Sequence, residues 1–507
     1  MLTTLAAPAF AKTWHIEDGD ITVKAGETKG TNKVSQGANQ EVEDTDTIIT
    51  NSNKDTASSN TVTIDAGNDK VEVTLDNVNI KTDSGSALTS NGDVTLTLKG
   101  ENHLTGGNGS GNSSDGSGIS SRGSLTISGG ENDSLTAQGG SGANGITSSG
   151  SLTISGGTVT ANGDDGGSGI YSRGGVTISG GSTVTANGRS GTISGGDGIC
   201  SSGGVTISGG STVTANGGNG GSIGGGSGIY SNGSVTISGG TVTANGGYGN
   251  GGYGGDGIRS DGGGVTISGG TVTANGGNST NSSGGYGISS LDVAISSGTV
   301  TANGGDSKDG YGGDGIHSND IDLSGSLELT AKAGSPNGKA LSQDGHELDL
   351  NTIKEKLDPG AKVTAINANG DSKQVSIPRP VEPEEPVIPE ESSSSSDGGS
   401  AAPSAPASPL PGLTVTDKDG QRISYTSTQS GNTLTVCVGR FTASLRASLS
   451  TLRQLRAEGI DTITFQTILC STTLSVDELL AMGGEDAEIV LTHHIRSSTL
   501  TVGGKAV

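Results

Sequence analysis

Short runs in which hydrophobic and polar residues alternate recur throughout residues 85–335. Each copy contains a Gly-Ile step, a run such as residues 235–238 (VTIS), a run such as residues 241–244 (TVTA), and a glycine-rich spacer. Alternation with period two is typical of short strands that bury one face, and the Gly-Gly and Asn-Gly pairs between the runs are typical of turns. Each copy is therefore predicted to form three short strands.

The Gly-Ile step repeats every 24 to 30 residues, a spacing typical of one coil of a solenoid. Its isoleucines are Ile119, Ile146, Ile170, Ile199, Ile229, Ile258, Ile288 and Ile316, with Leu88 and Leu341 as diverged copies at the two ends. Strands at this spacing stack in parallel on those of the neighbouring copies. The pattern predicts an all-β repeat region, a right-handed parallel β-helix of about ten coils.

The side chains that face inward are predicted to be small and mostly β-branched. In one coil they are Ile229, Val235, Ile237, Val242 and Ala244. The 507 residues include 94 glycines, with 2% aromatic and 29% hydrophobic residues, which is too little apolar volume for a conventional globular core of this length. A narrow solenoid needs less, because each coil buries its side chains against the coils on either side.

The composition changes several times along the chain. Residues 1–11 end in a small-x-small motif typical of secretory cleavage sites, without a basic start, and are predicted to be a signal peptide remnant. Residues 12–60 are predicted to form an N-terminal cap and the first strands, because an open solenoid end exposes unpaired strands, and residues 61–377 the β-helix. Residues 378–412, rich in Pro, Glu, Ser and Ala, are predicted to be an extended linker. Residues 413–507 have ordinary composition and are predicted to be a small α+β domain.

Further elements are predicted outside the regular repeats. They are a helical insertion at 350–357 that closes the stack, strands at 433–438 and 462–465, a helix around Leu445, Leu449 and Leu452 that ends near Gly459, and a short helix that begins at 475–478 with capping-box spacing. Cys437 and Cys470 fall in candidate strands, and either pair in an oxidising compartment or remain free thiols, whereas Cys200 is alone on the solenoid.

The net charge of −24 argues against nucleic-acid binding, which requires clustered Lys and Arg. No stretch of the sequence is apolar for long enough to insert into a membrane. An acidic, exported surface protein is the expectation that fits these features.

Residues on the outward face, directly after the Gly-Ile isoleucine, are candidates for ligand binding. They are Ser120, Thr147, Tyr171, Cys200, Tyr230, Arg259, Ser289 and His317. Tyr171 and Tyr230 are predicted to lie two coils apart, ~10 Å, close to the separation of alternate sugar rings in an extended glycan. Aromatic rings suit sugar faces, and Arg259 or Arg173 suits uronate carboxylates. The alternative is a solvated face without a ligand.

Two other outward columns are more regular. A Thr-x-Thr ladder, represented by Thr241 and Thr243, resembles the arrays of β-helical ice-binding proteins, but Thr is also an ordinary residue for an exposed strand. A column of asparagines follows the third strand of each coil and is predicted to hydrogen-bond from coil to coil. Its members are Asn162, Asn187, Asn216, Asn245, Asn275 and Asn303.

Calcium is the metal that the sequence suggests. Residues 251–259 (GGYGGDGIR) match the calcium-binding nonapeptide once, with Asp256 as the acidic residue. The repeat is far longer than nine residues, so neighbouring copies do not share ions as they do in proteins with that motif. Single structural calcium ions held by Asp256, or near Asp164 and Asp165, are the remaining possibility, since calcium requires six to eight oxygen ligands.

The residues 74–80 (TLDNVNI), 94–100 (VTLTLKG) and 102–105 (NHLT), together with the coils that follow, resemble the β-helical carbohydrate-binding domains of bacterial, mainly Gram-positive, surface proteins. The resemblance covers roughly residues 45–335. It implies binding of plant or host polysaccharides, often acidic ones, with calcium as a structural ion. No binding residue carries over from a family motif.

These features favour a non-catalytic polysaccharide-binding protein. A lyase needs a strong base facing the sugar, and a hydrolase needs two carboxylates across a groove, whereas the coil surfaces mostly present Thr, Ser and Asn. A passive adhesin or stalk is the alternative, because nearly identical coils need not bind anything.

Overall fold

The structure, a computed structural model, describes residues 11–109 and 115–378. It also describes residues 413–506, apart from 418–420, 424, 431, 439, 441, 468–470, 483–486, 494–497 and 504. The chain divides into two compact units, Met1–Pro383 and Glu384–Val507. The predicted signal peptide (except Ala11) and the predicted linker (except Pro378) lie outside the described residues, so both stay predictions.

The first unit is a stack of parallel strands, which confirms the predicted parallel β-solenoid. The strands of its N-terminal part are Lys12–His15, Ile21–Ala25, Asn32–Gln36, Asn39–Asp44 and Thr47–Thr50. The strands of the coils are Val62–Asp76, Asn79–Lys81, Leu88–Lys99, Glu101–Thr105, Ile119–Ser121, Leu125–Ser128, Ser134–Gln138, Ile146–Ser148, Leu152–Ile154, Thr158–Asn162, Ile170–Ser172, Val176–Ile178, Thr183–Asn187, Ile199–Ser201, Val205–Ile207, Thr212–Asn216, Ile229–Ser231, Val235–Asn245, Ile258–Asn275, Ile288–Asn303, Ile316–Lys332 and Leu341–Gln343. The strands of its C-terminal end are His346–Glu347, Lys362–Ile366 and Ser372–Ser376.

The column of strands that begins at the Gly-Ile step is longer than predicted. Its first residues are in continuous parallel register at Ile21, Val62, Leu88, Ile119, Ile146, Ile170, Ile199, Ile229, Ile258, Ile288, Ile316 and Leu341. The prediction of about ten coils missed those at Ile21 and Val62, where the Gly-Ile step is absent from the sequence. The invariant glycine has a steric cause, since a Cβ at Gly228 would lie 2.5 Å from the backbone nitrogen of Asn245.

The predicted core is confirmed. Ile229, Val235, Ile237, Val242 and Ala244 are each at most 1% exposed, and the same positions are buried along the stack. The inward serines were not predicted as a feature. The hydroxyls of Ser90 and Ser342, near the two ends of the column, have no hydrogen-bond partner among the residues that the structure describes. Most of the others donate to a backbone carbonyl of the preceding coil, as Ser201 Oγ does to Gly174 at 2.9 Å and Ser260 Oγ to Gly233 at 2.8 Å. These bonds satisfy hydroxyls that would otherwise be costly to bury.

The asparagine column forms the predicted ladder. Every side-chain amide donates from Nδ2 to the Oδ1 of the asparagine in the preceding coil, at 2.8 Å, from Asn187 onto Asn162 through to Asn303 onto Asn275. Because each amide both donates and accepts, the ladder ties successive coils together along the solenoid.

Both ends of the solenoid are covered. At the N-terminal end, Trp14 is 1% exposed and its indole N–H donates to Asp44 at 2.7 Å, beside the antiparallel pair Asn32–Gln36 and Asn39–Asp44. A short 3-10 helix, Ile16–Asp18, follows the first strand. At the other end the predicted insertion is a 3-10 helix, Leu350–Lys356, that buries Leu350 and Ile353.

The second unit contains two sheets and two α-helices. Its strands are Leu413–Thr416, Thr426–Ser430, Thr433–Cys437, Ala443–Ser448, Thr462–Gln466, Ser471–Ser475, Glu488–His493, Ser498–Val502 and Lys505–Ala506, and its helices are Leu449–Ala457 and Val476–Ala481. The predicted strands and the second helix are confirmed, and Ser475 caps that helix by accepting from the N–H of Glu478. No described helix is both long enough and apolar enough to span a bilayer.

The start of the first predicted helix was wrong, because Leu445 lies in the strand Ala443–Ser448. Alternate burial of Ala443, Leu445 and Ala447 gives that segment the strand period, and the helix begins only after Ser448, whose side chain accepts from the N–H of Thr451. Cys470 lies outside the described residues, so its pairing with Cys437 stays a prediction. The Cys437 thiol donates to Gln466 Oε1 at 3.4 Å.

Candidate functional site

Most residues after the Gly-Ile isoleucines form one outward column, as predicted, but Thr147 was wrongly included, because it is 4% exposed and its hydroxyl bonds to Ser117 and Asn144. Tyr171, Cys200, Tyr230, Arg259, Ser289 and His317 pair in parallel register on successive coils. Tyr171 and Tyr230 are therefore two coils apart, ~10 Å.

Arg259 and Tyr230 belong to a network of polar contacts with neighbouring residues. Arg259 Nε and Nη2 donate to the two oxygens of Asp261 at 2.7 and 3.2 Å, and Nη1 lies 3.7 Å from Asp256 Oδ2. The guanidinium carbon is 5.8 Å from the Tyr230 ring centroid. The Tyr230 hydroxyl lies 2.7 Å from Asn232 Oδ1 and 3.0 Å from Asp261 Oδ2. Burial and the Asp261 carboxylate raise the pKa of Tyr230 to about 12, so it remains a neutral hydroxyl.

Arg173 is not part of this network. It is exposed on the turn two residues after Tyr171. Asp261 has the equivalent position two residues after Arg259, three coils further along the stack. At that separation, ~14 Å along the stack, the two arginines do not act on one sugar.

Asp256 belongs to a column of acids that connect coils. Asp197, Asp256 and Asp314 each accept, at 2.7 Å, a backbone N–H of the next coil, from Ser227, Tyr286 and Lys339 respectively. Burial raises the pKa of Asp256 to about 6, and that of Asp197 to the same value. Asp256 is thus a buried residue that links two coils, with Oδ1 accepting from the N–H of Tyr286 and Oδ2 near Arg259.

The predicted calcium ligands do not come together. Asp165 lies in a tight turn with φ 39°, in which the carbonyl of Asp164 accepts from Gly167 at 2.8 Å, in an earlier coil than Asp256. Among the residues that the structure describes, no group of three or more His, Cys, Asp and Glu side chains is placed to hold a metal ion. A structural calcium ion stays a prediction.

The most exposed aromatic residues of the solenoid lie in the spacers, which the sequence reasoning did not consider as sites. Tyr253 and Tyr311 are 64% and 66% exposed. The spacers stack on one another, because Gly254 donates to the carbonyl of Ser283 at 3.0 Å and Gly284 to that of Tyr311 at 2.9 Å. Tyr253 and Tyr311 therefore occupy equivalent positions two coils apart. The signal was in the sequence, as the repeated YGGDGI at residues 253–258 and 311–316.

A cleft lies between the spacers and the outward column. Its volume is about 400 Å³, and its lining includes Ile223, Tyr253, Asp256, Arg259 and Tyr286. Tyr286 stacks on His317 with ring centroids 4.4 Å apart and planes 7° apart, and His317 Nδ1 lies 2.8 Å from Asp314 Oδ2. The cleft draws residues from several successive spacers and so extends along the solenoid.

Comparison with known proteins bears on the coils. The beta helix repeat family model matches residues 152–170, 235–256, 265–290 and 293–320. No curated protein and no solved structure matches the chain. The carbohydrate-binding, Gram-positive surface family stays a prediction. In its coils, the chain is similar to proteins built from beta helix repeats, with a parallel β-helix fold.

Proposed function

We propose that the solenoid is a non-catalytic binding module for an extended polysaccharide, secreted and held at a bacterial cell surface. The observation that carries the proposal is the pair of exposed tyrosines, Tyr253 and Tyr311, in register on stacked spacers, with Tyr253 also lining the cleft. Flat aromatic rings bind the apolar faces of sugars, and the ~10 Å between them suits alternate rings of one chain.

Arg259, which lines the cleft, and the two residues that hold it supply the polar half of such a site. Tyr230, Arg259 and Asp261 hold one another through several hydrogen bonds, so their orientation is set before a ligand arrives. A few fixed polar groups beside an apolar surface are typical of small-ligand and sugar sites, since little entropy is lost on binding.

A binding role accounts better than catalysis for how these groups are used. Asp256 is committed to the N–H of Tyr286, and Arg259 to Asp261 and Asp256. A polysaccharide lyase would need a basic group free to take a proton from a uronate. A glycoside hydrolase would need a carboxylic acid and a carboxylate on opposite sides of the glycosidic bond. The groups beside the cleft are instead occupied in holding the coils.

The test is retention of the full chain on a panel of insoluble polysaccharides, with and without calcium, while the supernatant is assayed for unsaturated sugars and new reducing ends. We expect retention without product, lost in the Y253A/Y311A double variant. The matched control is T241A/T299A, which removes two exposed side chains two coils apart on the Thr-x-Thr ladder. Product release would show an enzyme, and no retention on any polymer would refute the proposal and favour the passive stalk.

A further inference from the structure

Several features of the coils recur on every second coil. Asp-Gly-Ile occurs at 197–199, 256–258 and 314–316, and the residues that follow are Cys200, Arg259 and His317. On the coils between, Ser168, Ser227 and Tyr286 replace the aspartate, and Tyr171, Tyr230 and Ser289 follow the isoleucine. This aspartate and, at residues 253 and 311, the exposed spacer tyrosine therefore recur at a distance of two coils, whereas the residue that follows the isoleucine differs at each occurrence.

That period matches one shape of polysaccharide. Successive rings of an extended β-1,4-linked chain are turned over relative to each other, so that every second ring presents the same face to a flat surface. Two coils span ~10 Å, and the spacing of Tyr253 and Tyr311 places one ring under every second sugar. Ser283 occupies the same spacer position on the coil between them, where a hydroxyl faces the intervening sugar.

The charges beside the cleft do not favour an acidic chain. Arg259 is within 4 Å of two carboxylates, those of Asp261 and Asp256, and His317 is paired with Asp314. Each cationic group thus has its own anion, and the chain as a whole carries −24. A uronate would meet carboxylates without a spare cation, whereas a sugar hydroxyl, which both donates and accepts, suits adjoining Arg, Asp and His groups.

Resting on the polysaccharide-binding proposal, we infer that the ligand is a neutral, extended β-linked glycan that the solenoid binds with a period of two sugars. The expectation of an acidic glycan came from the family resemblance and from Arg259 or Arg173 as a partner for uronate carboxylates, and Arg259 is the one of these two that lines the cleft. In the structure it has carboxylate partners on both sides.

The test is calorimetric titration of the full chain with defined hexasaccharides. The probes are the β-1,4-linked glucose and mannose hexamers, the α-1,4-linked glucose hexamer as a neutral chain of the wrong shape, and the galacturonate hexamer as an acidic chain. We expect both β-linked neutral hexamers to bind at least about tenfold more tightly than the other two. Their affinity should change less than about twofold between ~0.05 and ~0.5 M NaCl, because no ion pair forms with the ligand.

Two variants test the geometry. Y253A and Y311A should each weaken binding of the neutral β-linked hexamers by about fivefold to tenfold. T241A/T299A should bind as the unchanged protein does, and all these exposed substitutions should leave the melting temperature unchanged.

Three outcomes would overturn the inference. Tighter or salt-sensitive binding of the galacturonate hexamer would refute a neutral ligand while leaving polysaccharide binding intact. Neutral binding unaffected by Y253A/Y311A would refute the two-coil arrangement alone. No binding of any hexamer, together with no retention on any polymer, would refute the polysaccharide proposal and this inference with it.

Discussion

Replacing Asp256 with asparagine is expected to stabilise the solenoid at neutral pH. The Asp256 side chain is buried, with the residue 6% exposed, and burial raises the pKa of its carboxyl from 3.8 to about 6. Folding at neutral pH therefore holds an ionised carboxylate where the protonated form is preferred. A pKa difference of about two corresponds to a penalty on the order of 3 kcal/mol, with the attraction of Arg259 at 3.7 Å already included.

The asparagine of D256N should keep the hydrogen bond from the N–H of Tyr286 that links the two coils. Asp256 Oδ1 accepts from the N–H of Tyr286, and the chain already uses an amide for this purpose, since Asn144 Oδ1 accepts from the N–H of Ser168 at 2.8 Å. The Nδ2 group of the asparagine would take the place of Asp256 Oδ2 opposite Arg259, and a buried N–H without an acceptor lowers the expected gain to about 1–2 kcal/mol.

The pH dependence identifies the cause. The folded pKa of Asp256 lies above the unfolded pKa of 3.8. The folded protein is therefore free of the penalty below pH 3.8, where the carboxyl is protonated in both states, and loses stability as the pH rises to about 6. The advantage of D256N should thus be near zero or slightly negative at low pH, grow through this window and be constant above it.

Calorimetric unfolding of the full chain at about pH 4 and about pH 7.5 measures this difference, with D261N as the matched control. Asp261 is exposed and bonded to Arg259, so D261N should give no gain at either pH. A D256N protein that is less stable at pH 7.5 would refute the reasoning. If calcium then stabilised only the unchanged protein, Asp256 would be a metal ligand.

Three further predictions concern the ladder, the second unit and the N-terminal end. N216A removes an amide that donates to one coil and accepts from the next, and should lower the unfolding free energy by about 1–3 kcal/mol in denaturant titrations, unlike T212A on the same strand. His493 is fully buried between two threonine hydroxyls, and burial lowers its pKa. The second unit should therefore be fully stable above about pH 6.5 and lose stability as the pH falls. An unchanged calorimetric transition at about pH 5 would contradict this. D44A leaves the indole N–H of Trp14 without its acceptor. Because Trp14 is the single tryptophan, the red shift of the intrinsic fluorescence should occur at a lower denaturant concentration as the N-terminal end loosens. An unchanged midpoint of this fluorescence transition would count against the role of Trp14 and Asp44 in covering that end.

Periodicity explains which parts of the structure could be predicted. Equivalents of Ile229, Val235 and Asn216 recur in the coils, each at its own fixed position. One repeat pattern therefore predicted the burial of the first two and the hydrogen bonding of the third. The second unit lacks such repetition, and there a local helical pattern around Leu445 was overruled by pairing with a distant strand, Glu488–His493.

The site was harder to predict because its contacts are not set by the coil period. Asp261 lies two residues after Arg259 on a turn, and nothing in the repeat indicates that it would take the guanidinium. Tyr253 and Tyr311 lie in spacers of equal length, residues 246–257 and 304–315, but the exposure of their side chains follows only from the way these spacers stack.

The coils differ in how far their outward residues vary. Backbone hydrogen bonds, the buried serines and the asparagine ladder hold each coil to the next, so an outward residue can change without loss of the fold. At most positions the copies nevertheless agree, as the Thr-x-Thr ladder does between residues 158 and 301. The column that contains Tyr171, Cys200, Tyr230, Arg259, Ser289 and His317 differs from coil to coil, and its Arg259 lines the same cleft as the exposed spacer residue Tyr253. The turns and the lengths of the spacers vary as well, so it is the loss of binding in Y253A/Y311A, and not variation alone, that separates a ligand-binding groove from a passive stalk.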